Sequence, residues 1–310
     1  MDNKIVFLYP GQGSQHVGMG LDLYQAYPEA REIFDHADRL LGFSLSRLCF
    51  EGPEEELNSD LNAQLAVYTV SCALTDILMT QDILPCVVSG YSSGFYSAAY
   101  AAGCFDFACG LHIVRRAGEI LLDEGQKIEG SMAVIFGLSL EEVKHFCRQA
   151  GNVEVAILNT PRQIVISGIS SSVTKAMEIS LNEGALDAYK LSVATAYHSK
   201  FMENSGTRFL REFEDTHVND PQIPLISYFS LDALPSEEEL KKMMAAQLSR
   251  PVFWVDLVKR LGSRNKRLFV ELGPGATLFR TVRWIDRNID VLITANEANL
   301  AEVIERCKFL

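Results

Sequence analysis

The residues best suited to covalent chemistry lie in Gly90-Tyr91-Ser92-Ser93-Gly94, a G-x-S-x-G pattern. A serine hydroxyl is a weak nucleophile until a base takes its proton, so the segment matters only if a turn presents Ser92 to a nearby base. The run before it, Leu84 to Gly90, is short and apolar with the β-branched pair Val87-Val88, and a helical pattern follows. Strand, tight turn and helix are what a nucleophile elbow requires, and the N–H of Ser93 would then face a developing oxyanion. The pattern alone arises often by chance; its setting favours the catalytic reading. Six histidines could supply the base. His36 and His145 sit in charged helical patterns, His217 is beside a polar stretch at Asp215, and packing explains His112 on its apolar helix. His198, in Ala196-Tyr197-His198-Ser199-Lys200, stands where a strand ends, the usual place for a catalytic group in an open α/β sheet. His16, after a glycine turn, is the second choice.

These groups need a scaffold. Ile5 to Tyr9 reads as a strand ending in Pro10-Gly11-Gln12-Gly13-Ser14-Gln15, with helical patterns at Tyr27 to Leu41, Asn62 to Met79, Ser97 to Ala102 and Phe107 to Leu122. Strands alternating with helices predict an α/β layered domain with a mostly parallel sheet. The rhythm changes from Gly130. Met132 to Gly137 is strand-like, Ser139 N-caps a helix to Ala150, and Val153 to Leu158 and Gln163 to Ser167 are strands joined by Asn159-Thr160-Pro161. A helix from Ser170 to Glu183 and a strand from Ala188 to Ala194 complete a β-α-β-β-α-β order, that of a ferredoxin-like unit. The expectation is α/β: an α/β-hydrolase-like large domain (1–129 plus 197–310) with an inserted ferredoxin-like small domain (130–196). Pro224 to Tyr228 and Leu268 to Leu272 read as further strands of the large domain.

Composition narrows the class. With 48% apolar residues in 310 the chain can bury a substantial core. Seven scattered cysteines without a CxxC pair suggest neither a disulfide framework nor a metal site, and fit free thiols in a reducing cytoplasmic setting. A net charge of −12 disfavours nucleic acid as a partner. The first apolar run stops at Pro10-Gly11, too short for a signal segment, and Ser97 to Val114 is broken by Gly103, Asp106 and Gly110, so no membrane partner is expected.

Five segments in order resemble the malonyl-CoA:acyl-carrier-protein transacylase family. Tyr9 to Gln15 resembles its F-P-G-Q-G-S-Q, Gly90 to Gly94 its G-H-S-L-G, and Tyr197 to Met202 its F-H-S-P-L-M. Gln247-Leu248 with Pro251-Val252 and Trp254 resembles its Q-L-x-x-P-V-x-W, and Glu271 to Gly275 its E-V-G-P-G. The resemblance implies roles: Ser92 takes an acyl group from coenzyme A and His198 shuttles the proton. It makes Gln12 and the Ser93 amide the oxyanion donors and Gln247 the match for the backbone carbonyl that orients the histidine. It implies transfer to the phosphopantetheine thiol of an acyl carrier protein in fatty acid or polyketide biosynthesis, with acyl-CoA as substrate and no cofactor or metal.

The sequence departs from the family where substrate is chosen. Malonyl specificity there rests on an Arg 25 residues after the nucleophile, a position that falls here on Ala117, in Arg115-Arg116-Ala117-Gly118. Arg116 is adjacent, but one helical step turns a side chain by about 100°. Tyr91 replaces the usual His and Phe95 the usual Glu. Tyr91, Phe95 and Ala117 are therefore expected to shape an acyl pocket for a neutral group, since an unpaired buried carboxylate costs several kcal/mol. Two alternatives stay open, a malonyl transferase using another cation and a hydrolase that clears acyl groups from carrier proteins. The arginines Arg280, Arg283 and Arg287, with Lys259, Arg260, Arg264, Lys266 and Arg267, form a candidate docking strip for an acidic carrier.

Overall fold

The apolar runs at both ends of the chain become neighbouring strands. In the computed structural model, which describes residues 4–263 and 267–308, these are the centre of a parallel sheet. The strands are β1 (Ile5–Tyr9), β2 (Val87–Gly90), β3 (Gly130–Phe136), β4 (Val153–Thr160), β5 (Gln163–Ile169), β6 (Asp187–Lys190), β7 (Leu268–Glu271) and β8 (Asp290–Ile293). One sheet has the order β2-β1-β7-β8, and its three pairings are all parallel. Every residue of β1, β2 and β7 is buried. Continuous rather than alternating apolarity is what a strand covered on both faces requires.

The helix Asp60–Met79 is apolar on nearly every side for the same reason. By length and composition it could cross a membrane, but 83% of its most apolar window is packed inside the protein. Its Thr75 hydroxyl meets Tyr9 Oη at 2.9 Å, tying it to β1.

The second sheet, order β4-β5-β3-β6, is antiparallel throughout. With the helices Leu140–Ala150 and Ser170–Asn182 it makes a ferredoxin-like unit. Ser139 caps the first helix as the sequence predicts: its Oγ accepts from the Glu142 N–H, and Glu142 Oε2 accepts from the Ser139 N–H at 2.7 Å. This sheet is apolar on both faces. Ala133 and Ile135 pack with its own helices, whereas Met132 and Val134 turn to the main core.

Two expected strands differ. The last strand of the unit ends at Lys190, and residues 191–199 run irregularly toward His198. Pro224 to Tyr228 makes only single bridges, Val88 to Leu225 and Ile226 to Ala233, because the chain reverses at Ser227. The helix expected at Ser97 begins earlier, at Gly94, directly after the elbow.

Candidate active site

The elbow is built by backbone packing. Tyr91 N–H donates to Tyr9 O at 2.9 Å, extending the β1–β2 pairing into the turn, and Ser92 sits at φ 52°. A Cβ at Gly90 would fall 2.2 Å from Gly94 C, and one at Gly94 would fall 2.2 Å from Tyr9 O. Only glycine fits at either end, so the pattern read in the sequence is a steric requirement of this turn.

The turn aims Ser92 Oγ at His198 Nε2, 2.7 Å away. His198 also has a left-handed backbone, φ 56°, and is 7% exposed. Its Nδ1 lies 3.0 Å from Arg250 O; a carbonyl can only accept, so Nδ1 carries the proton and Nε2 is free to accept from the serine. Burial pushes the imidazole down to about 4, against the raising effect of the carbonyls of Arg250 and Gln247. At neutral pH it is therefore an uncharged base. The carbonyl within hydrogen-bonding distance is that of Arg250, three residues beyond Gln247, whose carbonyl is the weaker influence. Gln247 contributes its side chain instead: Oε1 accepts from Tyr228 Oη at 3.2 Å, and the buried amide also faces the Tyr96 hydroxyl.

Gln12 lies beside the dyad, its N–H donating to Ser93 Oγ at 3.1 Å. Its side-chain amide is held twice, Nε2 donating to Asp60 Oδ1 at 2.6 Å and Oε1 accepting from Gln64 at 3.2 Å. Tyr197 Oη donates to the other oxygen of Asp60 at 2.8 Å. One carboxylate thus joins the N-terminal glycine turn to the histidine loop. Asp60 and Arg250 escaped the sequence reading; the second could have been sought near Gln247, while nothing local marks the first.

Ser92, Ser93, Gln12, His198 and Gln247 all line one cavity of about 580 Å³. Tyr91 lines it too, with its hydroxyl bonded to Asn159. Phe95 and Ala117 do not. Phe95 is fully buried, edge-on to Tyr228, and Ala117 is fully buried one helical turn before Leu121, which does reach the cavity. Arg116 points elsewhere, pairing with Glu119 and Glu212. No Lys, Arg, Asp or Glu is among the described residues lining the cavity. His16 borders a separate hollow, and no group of three or more His, Cys, Asp or Glu among the described residues is placed to hold a metal ion.

A serine on an elbow, a neutral histidine oriented by a carbonyl and an adjoining cavity define a serine-nucleophile acyl-transfer fold. Residues 6–307 match the acyl transferase domain family, and the chain belongs to it; the protein is an acyltransferase. It is 35% identical, over 99% of its length and 98% of the relative's, to the malonyl CoA-acyl carrier protein transacylase of Bacillus subtilis. It is 34% identical to the polyketide biosynthesis malonyl CoA-acyl carrier protein transacylase BaeC of Bacillus velezensis, over 88% of this chain and 94% of that one. Among solved structures, the malonyl CoA-acyl carrier protein transacylase of Coxiella burnetii superposes with a TM-score of 0.94 at 29% identity, covering 98% of both chains.

Proposed function

We propose that the protein moves a neutral acyl group from acyl-CoA, through an ester on Ser92, to the phosphopantetheine thiol of an acyl carrier protein. The 2.7 Å contact between Ser92 Oγ and His198 Nε2 at the mouth of the elbow carries this reading. Ser92 attacks the thioester carbonyl while His198 takes its proton. The oxyanion is met by the N–H of Ser93 and by that of Gln12 once it turns from Ser93 Oγ, and the coenzyme A thiolate leaves with the proton from His198. In the second half, His198 deprotonates the carrier thiol, which attacks the ester, and the proton returns to Ser92.

The uncharged lining supports a neutral cargo. No Lys or Arg among the described lining residues answers a malonyl carboxylate, Arg116 is engaged by two glutamates, and Asp60 lies behind Gln12. Burying a carboxylate unpaired costs several kcal/mol, enough to reverse a preference. The helix Thr277–Ile285 supports a carrier acceptor. Its first residue lines the cavity, and beyond it come Arg280, Arg283 and Arg287, without ion pairs among the described residues, and Trp284, which is 66% exposed. Arg264 and Lys266, from the same expected strip, lie outside the described residues.

Intact-protein mass spectrometry after brief incubation with acetyl-CoA or malonyl-CoA tests the reading. The expected result is an adduct from acetyl-CoA that is absent in Ser92→Ala. Equal initial rates with malonyl-CoA would sink the neutral preference, and free acid as the main product with carrier present would make the enzyme a hydrolase.

A further inference from the structure

One wall of the cavity is the inner face of the antiparallel sheet. Tyr189 on β6 pairs with Val134 on β3, Val134 with Val165 on β5, and Val165 with Ile157 on β4. All four border the cavity. They form one row straight across the sheet, and with strands about 4.8 Å apart the row runs about 14 Å. Met132 and Leu191 extend the same apolar surface.

Elsewhere this sheet has its apolar side chains closed over, as Ile135, Ile164 and Ile166 are by the unit's own helices. Along the row the exposure is graded: Tyr189 is 45% exposed, and Ile157, Val134 and Val165, though packed toward the main core, still border a cavity of about 580 Å³. Side chains facing a gap forgo dispersion contacts that a matching apolar ligand restores. An acetyl group is too short to reach along such a row. The cavity's amide side chains Gln163 and the mutually bonded Gln15 and Asn58 suit the amides of a pantetheine arm, leaving the row to the cargo.

We propose that Tyr189, Val134, Val165 and Ile157 form an acyl-chain subsite, and that the cargo is a linear, apolar acyl group of medium length, hexanoyl to decanoyl. This rests on the Ser92 acyl-enzyme reading above. Each methylene taken from water onto the row should raise the specificity constant for acylation about three- to fourfold until the row is covered.

The test is rapid-quench acylation of the whole protein by malonyl-, acetyl-, butyryl-, hexanoyl-, octanoyl- and decanoyl-CoA, read by intact mass, with Val165→Phe in parallel. The expected wild-type series climbs from acetyl to octanoyl and then levels. In Val165→Phe the octanoyl-to-acetyl ratio should fall at least about tenfold. A wild-type series that is flat or falls from acetyl overturns the subsite and leaves the neutral acyl-enzyme reading standing. A rising series whose optimum does not move in Val165→Phe overturns the assignment of the row. Labelling of Ser92 by malonyl-CoA alone overturns both readings. If Val165→Phe does not fold, Ile157→Phe takes its place and the wild-type series still decides.

Discussion

The two halves of the dyad are held by different means. Ser92 is fixed by main chain: β1 on one side, the start of a helix on the other, and two glycines with no space for a side chain. His198 stands in an irregular stretch and is fixed by side chains reaching far along the sequence. Its ring meets Arg250 O, Tyr197 meets Asp60, and Lys200 N–H donates to Glu154 at 2.7 Å. A nucleophile set by sterics is insensitive to polar substitutions, whereas a base set by a few hydrogen bonds can be loosened one contact at a time.

The largest effect should come from attacking the steric half. Gly94→Ala puts a methyl group against Tyr9 O and Pro10 O, neither of which can move without displacing β1. A loss of about 3 kcal/mol or more in urea unfolding is expected, with acylation disappearing alongside it. Tyr197→Phe tests the polar half. It removes one bond to Asp60 and should cost about 1 kcal/mol of stability while lowering kcat for acylation by about tenfold, with KM little changed. Equal losses of stability in the two variants would erase the distinction.

The smallest and most informative effect is on pH dependence. Because burial holds His198 near 4 instead of 6.5, the specificity constant for acylation should stay level well below pH 6 and fall only toward pH 4. The linkage follows the same sign: between about 6.5 and about 4 the unfolded chain takes up a proton that the folded site refuses, so stability declines as pH drops through that window. If Tyr197→Phe admits water, its acid limb should move back toward 6.5. An unmoved limb would mean that the loop's own packing, not the Asp60 tie, keeps the ring dry.

The same contrast governs what could be read from the chain. The elbow is written in five consecutive residues, because every contact that shapes it is with the next turn or the paired strand. The tie through Asp60 joins positions 12, 60 and 197, and no local pattern marks such a meeting. Ala117 occupies the counted position on its helix, but a count gives rotation and not depth; Leu121, a turn later, is the residue that reaches the cavity. The last strand of the ferredoxin-like unit is shorter than its apolar pattern, because Leu191 and Val193 are apolar for the sake of the cavity rather than of a ladder. The antiparallel sheet with its two helices and the strands β1, β2 and β7 are legible, since burial of whole faces leaves a periodic imprint; the short edge strand β8, with Asp290 exposed, leaves none.

Where the ferredoxin-like unit joins the rest of the chain, its two ends meet. A Cβ on Gly130, the first residue of β3, would lie 2.6 Å from Ala196 N on the returning chain. To the large sheet the whole unit is therefore topologically a loop with adjacent anchors, and the entropy of closing such a loop grows only slowly with its length. The nucleophile lies outside this stretch and the row facing the cargo lies inside it. The nucleophile and the row thus lie on different stretches of one chain, sewn together at the unit's adjacent ends, across the cavity by Tyr91 to Asn159, and by Lys200 to Glu154.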